Sequence, residues 1–208
     1  MCMIISWKIG IAHPFNSHVK LPSRSKAQKC LLGWWAVCTI YEIRSVKIFE
    51  SETLLVNFAL GYLKNIASDL NDEDLGALTE STGKTPQWIL GHLRIAAELG
   101  NKMLGAEPAC GDDWFAAFGP GSKPGDTNAP TFSVSSIVAD IEEGYSRLLK
   151  LTKEASQEVL AEKHGFAPLE PAISSKSDLM SHLLTTHITY HLAQLSACRQ
   201  AKGQAPIF

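Results

Sequence analysis

The chain has 208 residues, of which 45% are hydrophobic and 19% are charged, so it holds enough apolar material for one packed core and is not disordered throughout. Its net charge of −2 is the sum of two unlike parts. Residues 1–50 are basic, with seven Lys/Arg and two Asp/Glu, and the remainder is acidic, with twelve Lys/Arg and nineteen Asp/Glu. The remainder has no basic cluster suited to nucleic acid, so we do not expect it to bind nucleic acid. The longest apolar run, residues 30–41, is shorter than the roughly 20 residues of a membrane helix, so we do not expect a membrane span.

The five cysteines are odd in number and include no Cys-x-x-Cys pair: Cys2, Cys30, Cys38, Cys110 and Cys198. This pattern is not typical of a disulfide framework or of a thiolate zinc site. It favours a reducing compartment, and we therefore expect a cytoplasmic protein.

Residues 1–47 show little helical or strand periodicity. Gly10, Pro14 and Pro22 interrupt the first half, and the stretch around Trp34 and Trp35 is apolar on all sides. Three interpretations stay open: a mispredicted translation start, which we favour, a disordered basic extension, and an added element that packs its tryptophan pair on the domain. The folded domain is expected over residues 48–208.

Two amphipathic helices are predicted in the first half of this domain. The first spans about residues 51–70 with Ser51 as its N-cap, and the second begins at Thr85 and Pro86 and ends at Gly105. Their apolar residues recur at three- and four-residue steps: Leu54, Leu55, Phe58, Tyr62, Leu63, Ile66 and Leu70 in the first, and Trp88, His92, Ile95, Ala96, Leu99 and Met103 in the second.

Two more helices follow, over about residues 133–160 and from Ser175 to Gly203. Asp178 lies three positions after Ser175, which is the spacing of a capping box. The second of these helices carries Leu179, Leu183, Leu184, His187, His191, Leu195 and Cys198 on its apolar face. No segment alternates with the period of a strand, so the sequence predicts an all-α fold, a four-helix bundle in which each apolar face packs on the others.

The connections over residues 71–84, 105–132 and 161–174 are long for direct hairpins between helices. One or two of them are therefore expected to cross over the end of the bundle. The middle connection is rich in proline and glycine and includes residues 112–118, which can form one or two helical turns. Such a connection is typical of a loop that covers a binding site as a lid or borders it as a rim.

Three histidines are the candidate metal ligands. His187 and His191 are four residues apart, so their imidazoles project from one helix face, and Leu184 and Leu195 on that face must point inward. His92 lies on the buried face of the second helix and meets the pair if the two helices are neighbours. Three neutral imidazoles with an open position suit Zn²⁺, Ni²⁺, Fe²⁺ or Mn²⁺.

The alternative is that these are core histidines bonded to carbonyl or hydroxyl groups, as a lone buried histidine usually is. The other histidines have no partners at ligand spacing. His182 is about 140° around the helix from His187 and is expected at the surface or rim. His164 lies in a connection, and His13 and His18 lie in the N-terminal stretch.

Further residues are candidates for supporting or pocket contacts, and no catalytic residue is assigned. Gln194 is seven residues after His187 and nearly beneath it, so it is a hydrogen-bond partner, a substrate contact or a buried structural amide. Tyr190 lines a pocket or, as we favour, packs in the bundle. Trp88 precedes His92 by one helical turn.

Three segments resemble the DinB/YfiT-like proteins: residues 85–93 (TPQWILGHL), 114–122 (WFAAFGPGS) and 187–195 (HITYHLAQL). The resemblance covers about residues 48–208. It implies a four-helix bundle, often dimeric, with a mononuclear divalent metal whose ligands map onto His92, His187 and His191. Ala193 departs from the pattern, because many members have glycine there.

The resemblance also implies a function. Some members are thiol S-transferases or isomerases that use a low-molecular-weight thiol, and others have no known activity. We therefore expect a metal-dependent thiol S-transferase or hydrolase, in which the metal lowers the pKa of a thiol or water that attacks a small-molecule substrate under residues 105–132. The alternative is a non-catalytic, stress-related or interaction protein with a structural metal or an empty site. A haem protein is disfavoured, because three convergent histidines leave no room for a porphyrin.

Overall fold

The computed structural model describes residues 49–126 and 128–207. Over these ranges the chain is all-α, and the only β pairing is in isolated bridges. The helices are α1 (Glu50–Ala67), α2 (Pro86–Met103), α3 (Asp112–Phe118), α4 (Val134–Glu154), α5 (Gln157–Ala161), α6 (Lys176–His182) and α7 (Ile188–Gln200). A short 3₁₀ turn covers Asp72–Asp74, and a π-helical turn, Leu183–His187, joins α6 to α7.

Side-chain caps begin several helices where the sequence predicts them. The Thr85 hydroxyl accepts a hydrogen bond from the Trp88 N–H at 3.1 Å, and Pro86 occupies the first position of α2. At α6, the Ser175 hydroxyl accepts from the Asp178 N–H at 3.1 Å, and the Asp178 carboxylate accepts from the Ser175 N–H at 3.3 Å. These bonds satisfy N–H groups that have no partner inside the helix, so both caps are confirmed.

Two predicted helix boundaries are wrong. α1 begins after Phe49, which is buried and has a left-handed φ of 63°, so Ser51 lies inside the helix and does not cap it. The helix predicted over 133–160 ends at Glu154, because Ala155 is extended with ψ 141°. Ser156 then caps α5 by accepting from the Val159 N–H at 3.3 Å.

The long helices pack around a shared core. α1 packs against α4 and α7, and α2 packs against the same two helices, most extensively against α4. α1 and α2 therefore lie across the core from each other, and the connection over 68–85 passes over one end. A glycine allows the close approach of α2 and α4, since a Cβ at Gly144 would lie 3.1 Å from the Ala97 Cβ.

The apolar stripe of α1 is only partly buried. Val56, Leu63 and Ile66 point into the core, together with neighbouring small residues. Leu54, Leu55 and Phe58, which the sequence places on the buried stripe, are 73%, 52% and 66% exposed. The expectation for these three side chains is wrong, because the apolar residues of α1 cover more of its circumference than the core does.

Other expectations concern the termini and cysteines. The predictions for residues 1–47, including their three cysteines, lie outside the described residues. Cys110 and Cys198 are free thiols, and the cytoplasmic location stays a prediction. Among the helices in the described ranges, none is both long and apolar enough to cross a membrane.

The segment after α7 is held by Arg199, whose guanidinium bonds the Asp69 carboxylate and the Ala205 carbonyl.

Candidate metal centre

Three imidazoles meet where α2 approaches the start of α7. His92 lies in the middle of α2, His187 ends the π turn, and His191 lies one turn further along α7. One nitrogen of each ring lies within 4.8 Å of the other two, and the Nε2 atoms of His92 and His187 are 3.2 Å apart. The prediction that these histidines lie close enough to hold a metal ion is confirmed.

A backbone carbonyl orients His92. The Nδ1–H of His92 donates to the carbonyl oxygen of Phe118, the last residue of α3, at 2.7 Å. The Phe118 ring lies directly on α2 at Gly91, where a Cβ would be 2.5 Å from the ring. Because glycine allows this approach, α3 comes close enough for its carbonyl to reach the imidazole. The bond occupies Nδ1, so Nε2 presents its lone pair to the cluster.

Trp88 supports the same imidazole from the side. Its indole is stacked on His92 with ring centroids 4.7 Å apart and an interplanar angle of 9°. The Lys84 ammonium lies over the indole at 3.6 Å from its centroid. The indole N–H donates to the Ser122 hydroxyl at 2.8 Å, which ties the loop after α3 to α2. Trp88 therefore holds both the ligand ring and the loop beside it.

An amide orients His191. The Nδ1–H of His191 donates to the Gln194 Oε1 at 2.9 Å, so Gln194 supports His191 and not His187, beneath which the sequence spacing places it. Tyr190 is 61% exposed, so the favoured expectation that it packs in the bundle is wrong; its ring meets His191 edge-on with centroids 5.2 Å apart. Tyr190 therefore covers the outer edge of the His191 ring.

His187 is the least satisfied histidine of the cluster. With the His92 proton on Nδ1, the His187 Nε2–H donates to His92, and the buried Nδ1 of His187 has no hydrogen-bond partner in the described part of the chain. Burial, reinforced by the neighbouring imidazoles, lowers the pKa of His187 to about 2. Burial likewise lowers the pKa of His191 to about 4 and that of His92 below its usual range. All three rings are therefore neutral at neutral pH.

The π turn brings a fourth histidine to the cluster. In a π turn, five residues make little more than one turn, so His182 returns to the face of His187, and their ring centroids are 5.5 Å apart. Its Nδ1 is 2.6 Å from the Thr186 hydroxyl. The expectation that His182 lies 140° away assumed a regular α-helix. No sequence signal that we used distinguishes a π turn from an α turn.

His164 shows what a structural histidine looks like in this protein. It is buried in the connection between α5 and α6. Its Nε2–H donates to the Ile173 carbonyl at 2.9 Å, and its Nδ1 accepts from the Phe166 N–H at 3.0 Å. Both ring nitrogens are thus satisfied by backbone, in contrast to the cluster.

A cavity of about 440 Å³ opens onto the cluster. His92, His187 and His182 form one end of it, and apolar side chains of α2, α3, α6 and the connection over 162–175 form the walls. Pro120 and Pro168 line the cavity and are exposed, so its mouth lies between the loop after α3 and the 162–175 connection.

The donor set fits a divalent cation. Two nitrogen ligands of a tetrahedral ion with bonds of 2.0–2.1 Å are about 3.3 Å apart, close to the 3.2 Å between the His92 and His187 Nε2 atoms. Neutral imidazole is the form that ligates, and His92 and His191 each donate their other N–H to an acceptor, as metal-bound histidines do. His92, His187 and His191 can therefore hold one ion.

Comparisons with known proteins find no match: no family model matches the chain, and no curated protein or solved structure is significantly similar to it.

Proposed function

We propose that this protein is a mononuclear metal-dependent enzyme of thiol S-transferase or hydrolase type that acts on a small molecule. The observation that carries the proposal is the His92–His187 pair, with Nε2 atoms 3.2 Å apart beside His191. The Phe118 carbonyl oxygen and the Gln194 Oε1 accept from the Nδ1–H groups of His92 and His191, so the Nε2 lone pair of each ring is left for an ion.

The residues around the centre divide the work of the proposed reaction. His92, His187 and His191 would hold the ion, while the Phe118 carbonyl and Gln194 keep two of the rings in the ligating orientation. A bound divalent ion would supply Lewis acidity, which lowers the pKa of a thiol or water. The apolar cavity walls would surround a substrate beside the ion, and the loop after α3 lines the mouth.

The same observations support the finer expectations about fold and family. The packing of α1, α2, α4 and the α6–α7 segment around one core is what a four-helix bundle with crossover connections requires. We propose that this bundle is of the DinB/YfiT type, works in the cytoplasm and forms a homodimer. The ion is Zn²⁺, Ni²⁺, Fe²⁺ or Mn²⁺, which all accept imidazole nitrogen.

A non-catalytic, stress-related or interaction protein with a structural metal or an empty site is the competing proposal. A structural site is closed on all sides by protein ligands. The cavity beside His92 and His187 favours the enzyme, since it gives a substrate a path to the ion.

Elemental analysis of the purified full chain tests the proposal. We expect about one equivalent of a divalent metal per chain, as in a mononuclear site, and its loss in His187→Ala and His191→Ala. His182→Ala is the matched control, because this ring adjoins the cluster without belonging to it, and it should keep the metal. A wild-type protein that takes up no metal when offered each candidate ion would refute the proposal, as would equal metal loss in all three variants.

A further inference from the structure

The walls of the cavity beside the histidines carry no ionised side chain among the described residues. Ile95, Ala96 and Leu99 of α2 form one wall, and Phe166 and Leu169 of the 162–175 connection form the opposite wall. The side-chain polar atoms that line the cavity belong to three imidazoles at one end. A ligand that fills this space has two parts. Its larger part, the body, contacts apolar side chains in place of water, and its other end, the head, contacts the imidazole nitrogens.

The nearby cations are engaged elsewhere and do not line the cavity. Arg94 lies over the Trp114 ring at 3.9 Å and pairs with Asp140 at 3.3 Å. Lys84 lies over the indole of Trp88 and is not among the residues that line the cavity. A carboxylate or phosphate on the body of a ligand, away from the histidines, would therefore lose its hydration without gaining a partner. Thiols that carry several charges do not match this lining.

Backbone bonds hold the cavity in shape. His164 bonds the Phe166 N–H and the Ile173 carbonyl, which ties two parts of the 162–175 connection to each other. On the other side, Ser122 bonds the Trp88 indole and the Gly119 carbonyl. The two loops that frame the mouth are thus both anchored, and the volume of about 440 Å³ lies within the range of small-molecule sites.

We propose that the cavity binds an uncharged small molecule with an apolar body and one polar head directed at the histidines, so that the thiol of a transferase reaction is itself uncharged. The claim that the polar head binds at the metal rests on the proposed function. The claim that the body is apolar and uncharged rests on the cavity lining alone. The proposed function leaves open which thiols or hydrolase substrates the protein uses. The present proposal narrows these candidates to uncharged molecules that are mostly apolar.

The body is tested first, on the full chain without metal, by saturation-transfer NMR with toluene and benzoate. We expect toluene to bind, and benzoate to bind on the order of tenfold more weakly or not at all, because burial of an unpaired carboxylate is costly. Leu99→Trp should fill the cavity and abolish toluene binding, whereas Leu78→Trp, at an exposed site outside the cavity, should not. Equal binding of benzoate, or no toluene binding, overturns the proposal.

A second variant keeps the test decisive if Leu99→Trp does not fold. Leu169→Lys places a cation in the wall on a loop, and should raise benzoate affinity on the order of tenfold by pairing the carboxylate. An unchanged benzoate affinity in a folded Leu169→Lys protein would place the bound ligand somewhere else and overturn the proposal.

The head is tested on zinc-loaded protein with benzyl mercaptan, toluene and cysteine. We expect benzyl mercaptan to bind on the order of tenfold or more tightly than toluene with zinc and equally without it, and to outcompete zwitterionic cysteine. Cysteine binding as tight as benzyl mercaptan overturns the ligand class. Metal uptake is measured in the same sample. Failure with zinc and with each of the other three candidate ions refutes the proposed function, while the metal-free toluene and benzoate results still decide the body.

Discussion

Replacing Gly91 by alanine should disturb the metal centre through Phe118. A Cβ at this position would lie 2.5 Å from two atoms of the Phe118 ring, whereas carbon atoms in contact are about 3.5–4.0 Å apart. The ring and the end of α3 must therefore move by about 1 Å. That movement pulls the Phe118 carbonyl away from His92 Nδ1, which it contacts at 2.7 Å.

Two losses of different size follow from this movement. Crowding a packed core costs about 1–3 kcal/mol, and the hydrogen bond of His92 contributes about 1 kcal/mol, against a gain of about 0.5–1 kcal/mol from replacing a helical glycine. We expect Gly91→Ala to lower the free energy of unfolding by about 1–3 kcal/mol. Loss of the group that orients a ligand should weaken metal binding by about 10–100-fold.

Urea unfolding and a competitive metal titration measure the two effects. Gly61→Ala is the matched control, since it makes the same change inside α1, where a Cβ meets nothing within 4 Å. It should raise stability slightly and leave metal affinity unchanged. If Gly91→Ala matches Gly61→Ala in both measurements, the Phe118 contact does not position His92.

Three further predictions concern protonation, a buried carboxylate and the tryptophan. In metal-free protein, burial holds the pKa of His187 at about 2 and that of His191 at about 4, so both rings stay neutral while the unfolded chain binds protons below pH ~6.5. Stability should therefore fall as pH decreases from ~6.5 to ~4, by up to about 3 kcal/mol per pH unit from these two rings in urea unfolding; a flat profile would contradict this. Glu98 is 3% exposed, pairs with Arg147 and accepts from the Ala109 N–H. Glu98→Gln should therefore lower the free energy of unfolding by about 2 kcal/mol in the same assay. A change near zero would contradict the pairing. Trp88→Phe keeps a stacking ring but loses the bond to Ser122, so stability should fall by about 1 kcal/mol and metal affinity severalfold in the competitive titration; an unchanged affinity would mean that the loop does not support His92.

Local sequence signals predicted most helix starts because the chemistry of a cap is local. The hydroxyls of Thr85 and Ser175 accept their capping bonds from N–H groups three residues away, so a short window contains the information for the cap. The start of α1 is different: Phe49 has a left-handed φ of 63° and is buried, and no side-chain cap marks the position. Likewise, the break at Ala155 separates residues that fit one apolar stripe, and periodicity does not detect it.

The ligand set was predictable for a similar reason, whereas its surroundings were not. His187 is the residue just before α7 and His191 lies one regular turn further along, and burial of their face follows from its leucines. The Phe118 carbonyl carries no side-chain signal, so its bond to His92 depends on the path of α3. His182 was misplaced, because its position depends on one extra residue in the π turn.

The stacking of Trp88 on His92 gives the centre an optical reporter. The indole lies against a ligand ring, with centroids 4.7 Å apart, so its excited state is close to whatever occupies the site. An open-shell ion such as Ni²⁺ or Mn²⁺ at this distance quenches indole emission, whereas Zn²⁺, with its filled d shell, lacks that route. The difference in fluorescence between the wild type and Trp88→Phe therefore isolates this indole from the other four tryptophans and distinguishes classes of metal in solution.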